Sequence, residues 1–134
     1  MQCVNLIAPI TGWEIFASHN IVKTTIDQNG KVLYFSRQPI PTSTRESFKI
    51  GIKQIGIYFF QRDLLLDFAS WEETPLEQEE AVDMLRFLEK GITIESLMAQ
   101  DMISVDTPEE LSQMEKILQE DDLCKKIFDL QETN

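Results

Sequence analysis

The side chains able to do chemistry are unevenly supplied in this chain, and the scarce ones narrow the options first. Cys3 and Cys124 show no metal-ligand spacing, and His19 is the one histidine. Two cysteines make no disulfide framework, and a single His leaves zinc sites and Ser/His/Asp triads without support. Arg37 and Arg45 flank a proline-bearing loop, RQPIPTSTRE. Arginines on such a loop are as readily solvated surface as ligand contacts. Glu77-Gln78-Glu79-Glu80, with Asp83 after it, puts a charge run at the start of a helix, which the helix dipole favours without any ligand. Asp106 stands just before Thr107-Pro108-Glu109-Glu110. It can cap the helix that begins there, and its carboxylate is also the oxygen donor a hard cation prefers.

Charge limits the partners. Twelve Lys and Arg face twenty-three Asp and Glu, a net charge of −11. A nucleic-acid polymer asks for a positive surface that displaces counterions, so none is expected. A small anionic ligand remains compatible, because a few well-placed cations form a local site on an acidic protein. No apolar run approaches the roughly 18 residues that span a bilayer, so no membrane partner is expected. The N-terminal MQCVNLIAPITGWEIF lacks a basic n-region and a small-residue cleavage site, so the cytoplasm is the expected location.

The elements that must position these side chains read as α/β. A length of 134 residues with 43% hydrophobic content suits one compact domain, expected over residues 1–134. Val4–Ile10 is an apolar run and a short buried strand. Ile21–Ile26 alternates, with Val22, Thr24 and Ile26 on one side, and Lys31–Ser36 returns after Gln28-Asn29-Gly30. Asn and Gly accept the positive φ of a tight turn, so 21–36 is expected to be a hairpin. Ile55–Phe60 (IGIYFF) is a continuous apolar run expected as a central strand. A short helix is expected over Arg62–Ala69. Thr74-Pro75-Leu76-Glu77 carries a capping residue, a proline at the first helical position and the Glu of a capping box. The spacing of Ala81, Leu85 and Leu88 then predicts one helix over 76–90, stopped by Gly91. Thr93–Leu97 reads as a strand, 108–119 as a helix with Leu111, Met114 and Leu118 in its apolar stripe, and Leu123–Leu130 as a last short helix.

Three segments taken in order resemble one family. VKTTIDQNGKVLYFSRQPIP, then KQIGIYFF with TPLEQEEAVDMLRFLE, then SVDTPEEL, are similar to the second half of the 3-deoxy-manno-octulosonate cytidylyltransferases. The resemblance runs from about Asn5 to Leu118 and implies the mixed, Rossmann-like sheet of a nucleotide-diphospho-sugar transferase. It implies an enzyme that couples CTP to an eight-carbon sugar acid with Mg²⁺ as cofactor, for lipopolysaccharide assembly. By the same resemblance Asp106 is the metal ligand, and Tyr58, Gln54, Arg45 and Asp83 are substrate contacts. Tyr58 near the end of a strand would point towards the ligand crevice of an open α/β sheet, against the plain alternative of a core aromatic. Gln54 stands where better-known members carry a His; it still bonds hydroxyls but does not titrate near neutrality. Asp83 replaces a more usual Glu with a shorter reach. Arg45 is the nearer match to an arginine that meets the substrate carboxylate.

The family also opens with a basic loop of the form R-x-x-S-x-R-L-P-G-K that cradles the triphosphate, and with a second metal-binding aspartate. Neither occurs here. The resemblance therefore implies a partial chain, inactive alone and without catalytic residues of its own, paired with a second copy or a companion N-terminal half. A non-catalytic dimerisation or regulatory module is the alternative, and a related nonulosonic or amino-substituted sugar acid is a third.

Overall fold

The computed structural model describes residues 2–99, 108–122 and 124. The expected single domain is divided into two compact units, Met1–Asp101 and Met102–Asn134. Unit one carries a five-stranded mixed sheet and four helices: β1 (Cys3–Ile10), α1 (Trp13–Ala17), β2 (Lys23–Ile26), β3 (Val32–Ser36), β4 (Gly51–Phe60), α2 (Arg62–Ser70), α3 (Pro75–Glu80), α4 (Met84–Glu89) and β5 (Ile94–Met98). The second unit contains α5 (Pro108–Glu120), on which Leu111, Ile117 and Leu118 are exposed. The helix expected over Leu123–Leu130 lies outside the described residues. No helix among the described residues is long and apolar enough to cross a membrane.

The strand order is β3-β2-β4-β1-β5, so β4 is central as its apolar run implied. It pairs antiparallel with β1, while β1 and β5 run parallel. The 21–36 hairpin forms around its turn. Gly30 takes φ +79, and the Asp27 carboxylate accepts from the backbone of Asn29 and Lys31, both at 2.8 Å. Asp27's carboxyl is held below its usual range by those backbone donors, led by Lys31. The turn reaches β5, where Ser96 gives its backbone N–H (2.8 Å) and hydroxyl (2.7 Å) to the Gly30 carbonyl.

Four local expectations are corrected. β4 starts at Gly51 rather than Ile55, because neighbours on both sides pair with a stretch whose Lys53 and Gln54 look polar in isolation. α1 was not foreseen; Phe16 makes it, stacking on Phe48 at 4.6 Å and filling the space beside Gly51, where a Cβ would lie 2.5 Å from the ring. The alternation of β2 fails, since Lys23 is as buried as Val22 and Thr24 in a strand with a neighbour on each side. The single helix over 76–90 is two helices. Ala81 between them sits at φ 50, ψ 50, a left-handed conformation that costs a residue with a Cβ about 1–2 kcal/mol.

The core lies where α2 and α4 meet the sheet. Cys3, Phe35, Leu85, Phe87 and Ile94 are fully buried in one cluster. Phe87 stacks on Phe68 (4.5 Å, 7°) and on Phe60 (5.2 Å), and Trp71 meets it edge-on at 5.8 Å. Burial pushes the Cys3 thiol up to about 11, so that sulfur is an inert core group.

Candidate functional site

A cleft of about 610 Å³ opens beside β4 and the α3–α4 corner. Gln54 reaches it from β4, Asp83 from the head of α4, Glu77 and Gln78 from α3, and Val22 and Val82 supply apolar wall. Three features of local sequence place these groups. The Gln54 N–H donates to the Val22 carbonyl at 3.1 Å, stitching β4 to the entry of β2. Thr74-Pro75 starts α3, and the Glu77 carboxylate accepts the Thr74 N–H at 3.2 Å, the half of the capping box that the sequence announced. The left-handed Ala81 ends α3 two residues before Asp83, which stands at the head of α4.

The four expected substrate contacts are dispersed differently from one another. Gln54 and Asp83 both line the cleft. Asp83 makes no side-chain capping bond to α4, so its exposed carboxylate is not consumed by the helix it precedes. Tyr58 is half-buried behind the wall and donates its hydroxyl to Gln54 Oε1 at 2.7 Å. Burial, then the negative charge of Asp83, raises the phenol's pKa, which keeps it a protonated donor. With its oxygen engaged, Gln54 offers the NH₂ to whatever enters. Arg45 is elsewhere: Nη2 pairs with Glu14 Oε1 at 2.7 Å on the open surface, a partner that exists because of the unforeseen α1.

Arg37 lines the cleft, but its fork is committed. Nε donates to the Glu80 carbonyl (3.0 Å), Nη1 to that of His19 (3.1 Å) and Nη2 to that of Ala81 (3.1 Å). Glu80 in turn accepts from the Ser36 hydroxyl (2.7 Å) and the Arg37 N–H (2.9 Å). Below them Lys23, fully buried, donates to the carbonyls of Ser18 and Ile21, each at 2.8 Å, and of Arg37. Burial and the neighbouring Arg37 charge lower the Lys23 pKa to about 8, against a smaller opposing pull from Glu80. Glu77 is likewise spent. Arg86 meets it through Nε at 2.6 Å and through Nη2, gives Nη1 to the Trp71 carbonyl, and lies 4.3 Å over the Phe68 ring. The Arg86 hydrogen bonds hold the Glu77 carboxyl below its usual range.

Gln78, which the resemblance places on the sugar-binding stretch, lines the cleft, whereas sequence reasoning missed Glu73 as a lining group and the structural duties of Arg37 and Lys23. A lysine inside an otherwise apolar and hydroxyl-bearing strand was the available signal. Chemically, the cleft offers a primary amide and an unspent carboxylate on a polar floor, a set suited to hydroxyl groups. Among the described residues no group of three or more His, Cys, Asp or Glu converges as a cation cage. Asp106 lies outside the described residues.

Known proteins resemble the chain in sequence and fold. The family profile named Cytidylyltransferase matches residues 2–128. The 3-deoxy-manno-octulosonate cytidylyltransferase of Chlorobium phaeobacteroides is 41% identical over 124 residues, 90% of this chain and 50% of that protein. That of Thermodesulfovibrio yellowstonii is 42% identical over 111 residues, 77% of this chain and 43% of that protein. A solved CMP:2-keto-3-deoxy-manno-octonic acid synthetase complexed with CTP superposes with a TM-score of 0.80 at 29% identity, covering 90% of this chain and 50% of that one. The chain spans about half the length of the curated relatives it matches. It belongs to the cytidylyltransferase family, and its mixed sheet with flanking helices is the fold of that synthetase over half its length.

Proposed function

We propose that this member of the cytidylyltransferase family forms the sugar-acid side of an enzyme that joins CTP to 3-deoxy-manno-octulosonate, giving the CMP-sugar and pyrophosphate. The observation that carries the reading is the convergence of the Tyr58-supported Gln54 amide and the unspent Asp83 carboxylate on one cleft. Hydroxyls of a sugar would meet these two groups, Gln54 donating and Asp83 accepting. The reaction is attack by the anomeric hydroxyl on the α-phosphorus of CTP, for lipopolysaccharide precursor activation in the cytoplasm. Arg45 is the residue we assign to the substrate carboxylate. Its pair with Glu14 is exposed, with both side chains about 70% accessible (70% and 71%). Such a pair is worth at most about 1 kcal/mol, so exchanging Glu14 for a ligand carboxylate costs little.

Asp106 is assigned to Mg²⁺, on its place in SVDTPEEL. The ion would neutralise triphosphate charge, and it takes one or two protein carboxylates with phosphate and water completing its shell. A second copy or a companion half completes the assembly. Phe59 of β4 and Leu97 of β5 are each 58% exposed, a feature that favours a covering partner.

Titration of the chain with 3-deoxy-manno-octulosonate, followed by backbone NMR, tests the reading. Shifts centred on Gln54, Tyr58 and Asp83 are expected, and shifts absent at millimolar sugar acid would overturn it. A second reading, a non-catalytic dimerisation module, is favoured by the same exposed Phe59 and Leu97; it predicts self-association without sugar-acid binding.

A further inference from the structure

We infer that Arg37 is a positioning residue: its guanidinium holds Ala81 in the left-handed turn that delivers Asp83 to the cleft. The ligand named in the tests rests on the sugar-acid reading above; the clamp itself does not. Residues 75–89 contain no glycine and no proline after Pro75, and alanine is the strongest helix former, so nothing local breaks the helix at Ala81. The break sits instead where Arg37 meets the chain. Its Nε and Nη2 take the consecutive carbonyls of Glu80 and Ala81, at 3.0 and 3.1 Å, which a helix end leaves without intrahelical donors. The clamp is closed from both ends. Glu80 returns its carboxylate to the Arg37 N–H and Ser36 hydroxyl, and the Lys23 ammonium holds the Arg37 carbonyl from beneath. Nη1 on the His19 carbonyl anchors the same guanidinium to the segment before β2. A fork with all three nitrogens on backbone carbonyls is not the group that receives a ligand carboxylate, although Arg37 lines the cleft.

The consequence is a division of labour. Arg37 sets the corner, and Asp83, two residues past the corner, lines the cleft without a side-chain bond to its own helix. A lysine donates from one nitrogen and lacks the planar fork that spaces Nε and Nη2 onto the successive carbonyls of Glu80 and Ala81 and Nη1 onto that of His19. Arg37→Lys is therefore expected to behave like Arg37→Ala.

The test is a rescue. Arg37→Ala should weaken 3-deoxy-manno-octulosonate binding about tenfold, the scale of losing one or two hydrogen bonds to charge. Adding Ala81→Gly to it should recover most of that loss, because glycine takes positive φ without steric penalty. Ala81→Val with Arg37 intact should reproduce the defect, since a β-branched residue resists this conformation. No recovery in the double variant, or an unaffected Ala81→Val, would overturn the inference and leave Arg37 as a direct ligand contact or a general stabiliser. The ligand-free readout is the pair of ¹³Cα and ¹³Cβ shifts of Ala81, which should leave left-handed values in Arg37→Ala. Unchanged shifts there sink the clamp even if wild type binds no sugar acid, an outcome that counts only against the substrate reading. If Arg37→Ala does not fold, Ala81→Val carries both readouts.

Discussion

The Tyr58 hydroxyl reaches Gln54 Oε1 at 2.7 Å although the two residues stand four positions apart on one strand. An irregularity in β4 makes this contact possible. Asn5 of β1 is opposite Tyr58 and Ile7 is opposite Gln54, so four intervals of β4 match two of β1. Two extended intervals span about 6.8 Å against about 13.6 Å for four, and the excess chain is thrown out around Gly56 at φ +86. The bulge draws the phenol and the amide together, so that Tyr58 reaches Gln54 from the core.

Tyr58→Phe should therefore act through Gln54 rather than through a lost sugar contact. It keeps the ring in the core and removes one hydrogen bond, worth about 1 kcal/mol. Affinity for 3-deoxy-manno-octulosonate is expected to fall about fivefold by isothermal titration with the fold intact, and wild-type affinity would refute the coupling.

Glu77→Gln should be costly in spite of its conservative size. It leaves Arg86 facing a neutral amide in a site where both side chains are nearly buried, and breaking one side of such a pair costs about 3–5 kcal/mol. Urea denaturation monitored by tryptophan fluorescence measures it. A loss below about 1 kcal/mol would show that water already screens the pair.

Lys23 gives stability a pH dependence of definite sign. Its pKa is lowered in the folded protein from 10.5 to about 8, so between those values the unfolded chain binds more protons. Stability linked to this lysine is fully present above about 10.5 and is lost as pH falls through about 8. Wild-type stability relative to Lys23→Met is thus expected to rise between pH 7 and pH 10.5. Thermal unfolding across that range checks it, and a flat difference would exclude the shift.

Asp106→Asn separates the two roles of this position. Asparagine caps a helix about as well as aspartate but brings less charge to a cation. In the enzyme assembled with its nucleotide-binding half, the variant should fold normally and need about tenfold more Mg²⁺ for half-maximal pyrophosphate release, the scale of about 1.4 kcal/mol. An unchanged Mg²⁺ requirement would remove Asp106 from the metal site.

Much of the chain's organisation was legible along the sequence, because it depends on neighbours in the chain. Asn29-Gly30 forced the turn of the hairpin, Thr74-Pro75 with Glu77 started α3, and the IGIYFF run marked a central strand. The ordered motifs pointed to the cytidylyltransferase family, and Gln54 and Asp83 do line one cleft. What tertiary structure decided has the opposite character. Ala81 leaves the helix because the Arg37 guanidinium, 44 residues away, donates to its carbonyl and outweighs its local preference. Lys23 is buried because the Ser18 and Ile21 carbonyls of the turn before β2 and the Arg37 carbonyl after β3 meet around its ammonium, and Arg45 is turned to the surface by Glu14, 31 residues distant. Periodicity and capping are short-range energies of a few tenths to about 1 kcal/mol per residue. A committed fork or a desolvated charge is settled by partners that only the folded chain brings within 3 Å, where the electrostatic terms are larger and the local preference yields.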